Sequence, residues 1–405
     1  MQTLKITIRG SFWDTQLYKD VLYVFELDGA VRLVNWPALV EGLPVPDRCR
    51  LAMECSFLRS DYLYGNKWDR LFQDQEIQAL LASKFSAALH LPLEVDGQML
   101  DQFTVDRDDS PFPYAPNDTL FYKDHLYAVS QSGVYSQFMS GETVPRNRAD
   151  RSWEAAVSGL DVNLDVLALA AGDEGLFRSP SATYDLGVSL QPHAEQVSQQ
   201  LCNDCSYVRS SILSSAHETG ATLAEFRAPK RSSERSEEDR SREFWEAKPL
   251  SVIKGDDLFQ ENTAGSFCWG SRDRICMAKD GVLTVIKYLP FNDRRRNLTK
   301  PVREIPLHSW KGSPVSGDNA VFGAILELDN ALVVVRSDDQ VDTFRGEPVN
   351  WRVFPRSKHF TNQLHVVYED RIEILSFNHD YFVDQKTKSF GEPHNEPWSG
   401  RTWGT

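Results

Sequence analysis

Cysteine is scarce: the 405 residues hold only Cys49, Cys55, Cys202, Cys205, Cys268 and Cys276. Their spacing does not form the framework of a disulfide-stapled secreted domain. No apolar run approaches the ~18 residues that span a bilayer. The opening "MQTLKITIRGSFWD" lacks the basic stretch, apolar core and small-residue cleavage site of a secretory leader. A cytoplasmic protein without a membrane partner is therefore expected, and the Asn-x-Thr triplets at Asn117 and Asn297 carry no expectation of glycosylation. Positive charge is also short. Against 58 Asp and Glu stand 44 Lys and Arg, a formal net charge of −14 that opposes association with nucleic-acid phosphates. Local catalytic signatures are missing too: no Gly-x-Ser-x-Gly elbow, phosphate-binding loop, Gly-x-Gly-x-x-Gly fingerprint or His-Glu-x-x-His helix occurs. No cofactor is expected.

What is present is enough apolar material for a large core, with 41% hydrophobic and 11% aromatic residues beside 25% charged. It is arranged in repeats. "YKDVLYVFELDG" at 18–29 returns as "YKDHLYAVSQSG" at 122–133, each alternating apolar and polar residues and running into a turn at Asp28-Gly29 or Ser132-Gly133. That pattern is a β-hairpin. Similar units follow in "DVLALAAGDEGLF", "YVRSSILSSAHETGATLAEF" (turning near Gly220), "RICMAKDGVLTVIKY", "NALVVVRSDDQVDTF" (with Asp339 in place of the turn glycine) and "QLHVVYEDRIEILSF" (around Glu369-Asp370). Seven hairpins at about 45 residues per unit, once insertions are set aside, match the ~40–45 of a four-stranded propeller blade. The interval from Asp339 to Asp370 is short for a blade.

On these hairpins the chain resembles the seven-bladed, WD-repeat-like β-propellers, although no unit ends in Trp-Asp or carries the Gly-His pair. The resemblance implies an all-β fold, and with the residues between the hairpins it divides the chain into a closing strand and first blade over 1–35, a mainly helical insertion after it over 36–112, blades two to four over 113–227, a flexible charged loop over 228–248, blades five to seven over 249–392, and a C-terminal tail over 393–405. Helix in the insertion is read from Leu71, Phe72, Ile77, Leu80, Leu81, Phe85 and Leu89. The insertion is expected to project from the ring. The alternating "LKITIRG" is expected to close the ring by pairing within the last blade.

Candidate chemistry is thin. Cys202-Asn-Asp-Cys205 has a zinc-knuckle gap but no second pair at that spacing, so buried thiols are the preferred reading and no metal site is expected. "GDEG" at 172–175 reads as a hairpin turn, and Asp108-Asp109, Asp256-Asp257 and Asp338-Asp339 read as solvated connections. Histidines such as His217, His308 and His379 lie at strand ends without a local motif, and no catalytic residue is assigned. The dense basic cluster Arg294, Arg295 and Arg296, with Trp245 and Trp310, forms the candidate partner-binding set: guanidinium groups suit an acidic partner and tryptophans anchor interfaces. The expectation is a non-enzymatic propeller scaffold or regulatory subunit that binds one or more proteins. The alternatives are a hydrolase or lyase at the channel mouth and, third, a carbohydrate-binding lectin.

Overall fold

In the computed structural model, which describes residues 3–378 apart from 65–68, 73, 114–115, 183–193, 230–235, 291–297, 308–309, 311 and 338–339, the two twelve-residue strings are hairpins. Val21–Glu26 pairs with Ala30–Asn35, and His125–Ser130 with Gly133–Phe138. Each is the middle pair of a four-stranded antiparallel sheet. Seven sheets form a ring in chain order.

Blade 1 comprises Phe12–Tyr18, Val21–Glu26, Ala30–Asn35 and Thr104–Asp109; blade 2, Asp118–Tyr122, His125–Ser130, Gly133–Phe138 and Asp150–Trp153; blade 3, Gly159–Asn163, Val166–Ala170, Leu176–Pro180 and Glu195–Ser198. Blade 4 has Asp204–Val208, Ser211–Ala216, Gly220–Glu225 and Ser251–Lys254; blade 5, Phe267–Ser271, Arg274–Lys279, Val282–Tyr288 and Thr299–Pro306; blade 6, Pro314–Ala320, Gly323–Leu328, Ala331–Arg336 and Val341–Arg345. Blade 7 takes Asn350–Val353, Gln363–Tyr368 and Arg371–Ser376 from the end of the described chain and Leu4–Arg9 from its beginning. That strand pairs antiparallel with Arg371–Ser376, Thr7 opposite Glu373, and closes the ring as the alternating "LKITIRG" anticipates.

The tyrosine, lysine and aspartate shared by the two strings also make a turn, the one joining the first and second strands. Lys19-Asp20 and Lys123-Asp124 all have positive φ, as do Leu164-Asp165 in blade 3. Two consecutive left-handed residues suit the right-handed twist of a two-residue hairpin. The turns also join blades. Lys19 pairs with Asp124 at 2.6 Å, while Lys123 pairs with Asp165 at 2.8 Å. The hydroxyl of Tyr18 accepts from the Asp124 N–H, and that of Tyr122 from the Asp165 N–H, both at 3.1 Å.

Gly29 and Gly133 share an offset but have different reasons to be glycine. A Cβ on Gly29 would meet nothing, so only its φ of +92° resists substitution; one on Gly133 would lie 1.9 Å from the Trp153 carbonyl oxygen of the outer strand. Gly29→Ala should therefore cost about 1 kcal/mol, the strain of a left-handed alanine. Gly133→Ala must also displace a strand and should cost at least about 2 kcal/mol more; urea unfolding of the two variants checks the order.

The sixth hairpin of the sequence reading falls one strand late. "NALVVVRSDDQVDTF" spans the third and fourth strands of blade 6, whose middle turn is Asp329-Asn330. The turn at Glu369-Asp370 is then a full blade further on, which removes the short interval.

Within each sheet, strand alternation places the connections between strands one and two and between strands three and four on one face of the ring. The middle turns and the links between blades occupy the other. The helical segment begins after the third strand of blade 1 and ends at Gln102, and Thr104–Asp109 returns as that blade's fourth strand. It is packed down onto the ring. Trp36, Leu39, Phe57, Leu81 and Phe85 are buried in one cluster with Leu4, Ile6 and Ile8 of the closing strand and Phe322, Phe360 and Phe377 of blades 6 and 7. The Trp36 indole N–H donates to the Phe57 carbonyl at 2.7 Å. Leu93–Val95 lies parallel to Ile6–Ile8, so the closing strand is paired on both sides.

The 228–248 segment, expected as a flexible charged loop, contains a helix, Glu237–Glu246, within its described part. Ser236 caps its N-terminus through the Asp239 N–H at 3.1 Å. Its C-terminus rests on Arg178, fully buried in blade 3, which donates to the Phe244 and Ala247 carbonyls at 2.6 and 2.8 Å and stacks over Phe226 at 4.0 Å. Ser241 donates to Asp165 at 2.5 Å. Composition alone conceals this because the anchor lies outside the segment. The tail 393–405 lies outside the described residues.

Candidate functional site

The inner strands bring charged side chains from separate blades to the axis of the ring. Arg352 of blade 7 donates to both carboxylate oxygens of Asp14 in blade 1, at 2.8 and 2.9 Å, and to Asp118 of blade 2. Thr119 passes a hydrogen bond to Asp14 at 2.6 Å, and Gln16 donates to Thr119 at 2.8 Å. Flanking carboxylates hold the guanidinium firmly charged, whereas burial keeps Asp118 above its ordinary range in spite of Arg352.

The wall continues through Asp161 of blade 3, Asp204 of blade 4 and Asp318 of blade 6. Asp14, Asp118, Asp161 and Asp318 each accept the backbone N–H of the following residue, at 2.6–2.8 Å, which fixes the carboxylates against their own strand. Arg356 of blade 7 reaches Asp161 at 2.8 Å and donates to the Val162 carbonyl at 2.6 Å. Among the described residues neither Asp204 nor Asp318 has an ion-pair partner. Burial, reinforced by Asp118, Asp318 and Asp161, pushes Asp204 up to about 7; burial, reinforced by Asp161 and Asp118 and opposed by Arg356, does the same to Asp318. His365 is fully buried beside Thr15 Oγ1 at 3.4 Å, and burial pulls it down to about 3, so it is neutral at physiological pH.

The two raised carboxyls have a consequence for stability. An unfolded aspartate titrates near 3.9. Between about pH 4 and pH 7 the folded chain therefore retains protons that the unfolded chain has released, and stability falls as pH rises through that window. Thermal unfolding should give a lower midpoint at about pH 8 than at about pH 5, and Asp204→Asn with Asp318→Asn should abolish or reverse the difference, because His365, neutral in the fold, adds stability as pH rises through the ~6.5 of an unfolded histidine. An equal slope in the double variant would contradict this assignment.

The residues singled out in the sequence do not come together. Trp245 is half-buried on the helix over blades 3 and 4, 5.6 Å from the Arg178 guanidinium. Trp310 lies in the link between blades 5 and 6, on the opposite face, half-buried against their shared core with its N–H donating to the Gly312 carbonyl at 2.6 Å. Arg294, Arg295 and Arg296 lie outside the described residues, as do His308 and His379. All six cysteines are buried and free, and Cys202 sits in a bridge with Gly172. Among the described residues no three His, Cys, Asp or Glu side chains are placed to hold a metal ion.

The signal for the axial carboxylates was in the repeat itself. Extended upstream, the two strings read "DTQLYKD" from Asp14 and "DTLFYKD" from Asp118. The shared aspartate is the channel residue.

No protein-family model matches the sequence, and no curated protein matches it. Among solved structures, the WD40 β-propeller domain of Doa1 superposes with a TM-score of 0.50 at 9% identity, over 94% of this chain and 98% of that one. The β-propeller domain of Myceliophteria thermophila Cps50 (Swd1) gives 0.48 at 10% identity, over 93% and 100%. At such identities the likeness is one of fold. Seven sheets in sequential order, six four-stranded and the last, closed by the N-terminal strand, with a fifth strand from the insertion, give this chain the fold of a seven-bladed, WD40-like β-propeller.

Proposed function

We propose that the protein is a non-enzymatic interaction platform whose binding face is the one carrying the helical insertion. One observation carries this reading: the two longest helical additions to the bare ring, 36–102 and Glu237–Glu246, rise on the same face and are anchored to the blades by buried contacts, while only the five-residue helix Gly255–Phe259 lies in a link on the other. A rigid, enlarged surface suits recognition because little ordering entropy is lost on binding. On the insertion, Leu71 and Leu80 are 48% and 54% exposed, apolar positions suited to a partner's side chains.

Affinity purification from the native host, with Leu71→Asp and Leu80→Asp combined, tests the assignment. A stable protein partner that is lost in this variant and retained when Leu27 and Val349 on the opposite face become aspartate is the expected result. Partner loss from the opposite-face substitutions alone would refute it. A second reading, hydrolase or lyase, draws on Asp204 and Asp318, whose raised affinity for protons suits general acid–base work near neutral pH. Turnover of a small molecule abolished by Asp204→Asn would favour it.

A further inference from the structure

The connection between the first two strands of blade 7, residues 354–362, is the long one in a ring where the corresponding turns of blades 1 to 6 are tight. It does not stay over its own blade. The Pro355 carbonyl accepts from Arg272 of blade 5 at 3.3 Å, and Arg356 binds Asp161 and the Val162 carbonyl of blade 3. Blades 3 and 5 are neither neighbours of blade 7 nor of each other in the ring. The segment therefore spans the mouth of the axial channel on the insertion face. Its far end is tied to the insertion: His359 pairs with Asp61 at 2.8 Å, the Ser60 N–H donates to the His359 carbonyl at 3.0 Å, and the Thr361 N–H donates to Ser60 Oγ at 3.3 Å.

We propose that residues 354–362 are a charge-latched lid over this mouth, held down through Arg356 by Asp161 and Asp318 and loosened when Asp318 is protonated. Arg356 lies among more carboxylate charge than it can satisfy. Asp161 holds it directly, Asp318 attracts it from blade 6, and Asp118 and Asp204 stand further along the same wall. Asp318 takes up a proton near neutrality, so part of the attraction on Arg356 disappears over a mild pH range. The other charges around the lid are Arg352 at its base, Arg272 beneath Pro355, Lys358 and His359 on the lid itself, and Asp61 with Arg59 on the insertion. The His359–Asp61 pair ties the far end of the lid to the insertion. The latch at Arg356 is the end that loosens in acid. What the lid controls is access to Asp161, Asp204 and Asp318 from the insertion face.

Hydrogen–deuterium exchange on the full chain at about pH 8 and about pH 5.5, corrected for intrinsic rates and normalised to Gly323–Leu328, reads the lid through peptides covering 354–362. Normalised exchange should rise about two- to fivefold in acid, the change expected for weakening one partly exposed ion pair. Asp318→Asn should raise exchange at about pH 8 to the acid level and erase the pH response, Asp161→Asn should raise exchange at both pH values, and Arg356→Gln should do both. His359→Gln should raise exchange at both pH values while keeping the pH response. Wild-type exchange that is equal at the two pH values or slower in acid, or Asp161 and Arg356 variants that leave the lid as protected as in the wild type, would overturn the proposal.

Discussion

Replacing Arg352 with methionine should destabilise the protein by about 3–5 kcal/mol, the usual consequence of removing one partner from a buried charge cluster. Asp14 is 0% exposed and Asp118 27%, so Asp14, which holds both of the bidentate hydrogen bonds, recovers no water when the cation is removed and Asp118 recovers only part. Asp14 keeps the hydroxyl of Thr119 and the Thr15 N–H, and Asp118 keeps the Thr119 N–H, but two like charges would then face each other across the first pair of blades. Arg352 comes from blade 7 and its partners from blades 1 and 2, so the loss falls on the seam where the two ends of the chain meet. Chemical denaturation with a second substitution distinguishes charge from packing. Asp14→Asn in the Arg352→Met background should recover stability, whereas Asp14→Asn alone should lower it. A single Arg352→Met change below about 1 kcal/mol would show the cluster to be solvated and the argument wrong.

The architecture was more legible than the site because the two leave different traces in a sequence. Blades repeat, and six of the seven hairpins found by alternation and turn spacing are the middle pairs of their sheets. The sixth slipped by one strand, since "ALVVVR" is equally apolar on both sides and Asp338-Asp339 resembles a turn as well as Asp329-Asn330 does. The helix Glu237–Glu246 was hidden for a different reason: its stability comes from Arg178, about one blade and a half upstream, and not from a stripe of its own. The channel wall lies between these cases. Asp14 and Asp118 are marked by a local repeat and Asp204 shares their place, five residues before its turn, without their flanking residues; Asp161 and Asp318 stand three before theirs, and only the ring brings all five to one axis. Arg356 carried no sequence signal at all. A lone arginine in a loop reads as solvent-facing until its connection is seen to cross the channel.

The blade-to-blade contacts also explain why a ring with few shared sequence features holds together. Between blades 1 and 2 stand Gln16–Thr119 and Lys19–Asp124; between 2 and 3, Lys123–Asp165; between 3 and 4, Asn163 to the Arg209 carbonyl; between 4 and 5, Arg209–Asp273. Trp269 donates to Asn319 from blade 5 to blade 6, and Trp351 to Glu327 from blade 7 to blade 6. Exposed members of this series contribute little singly. Their role is register: each fixes one blade against the next while apolar residues between sheets supply the bulk of the stabilisation.

Proline at Thr7 should open that ring at its seam, at a cost of about 3 kcal/mol or more. Thr7 lies in the middle of the closing strand, opposite Glu373 on one side and Glu94 on the other, and is 7% exposed. In a bare propeller the closing strand would be an edge and a proline there could face solvent. Here the insertion supplies Leu93–Val95 on that side, so no orientation of the strand leaves a ladder hydrogen bond to spare. Val105→Pro provides the control. Val105 sits at the bulge of blade 1's outer strand, where the register shifts between Leu33 and Val34, and is 50% exposed. Bulges and edges are where strands accept proline, so this change should cost about 1 kcal/mol or less. Hydrogen exchange should then show Arg371–Ser376 and Leu93–Val95 losing protection together in the Thr7 variant, because both hang on the same strand, while Asp204–Val208 on the far side of the ring stays protected longer. If the Thr7 and Val105 variants unfolded within 1 kcal/mol of each other, the closing strand would be an ordinary edge, and the insertion would have no part in holding the ring shut.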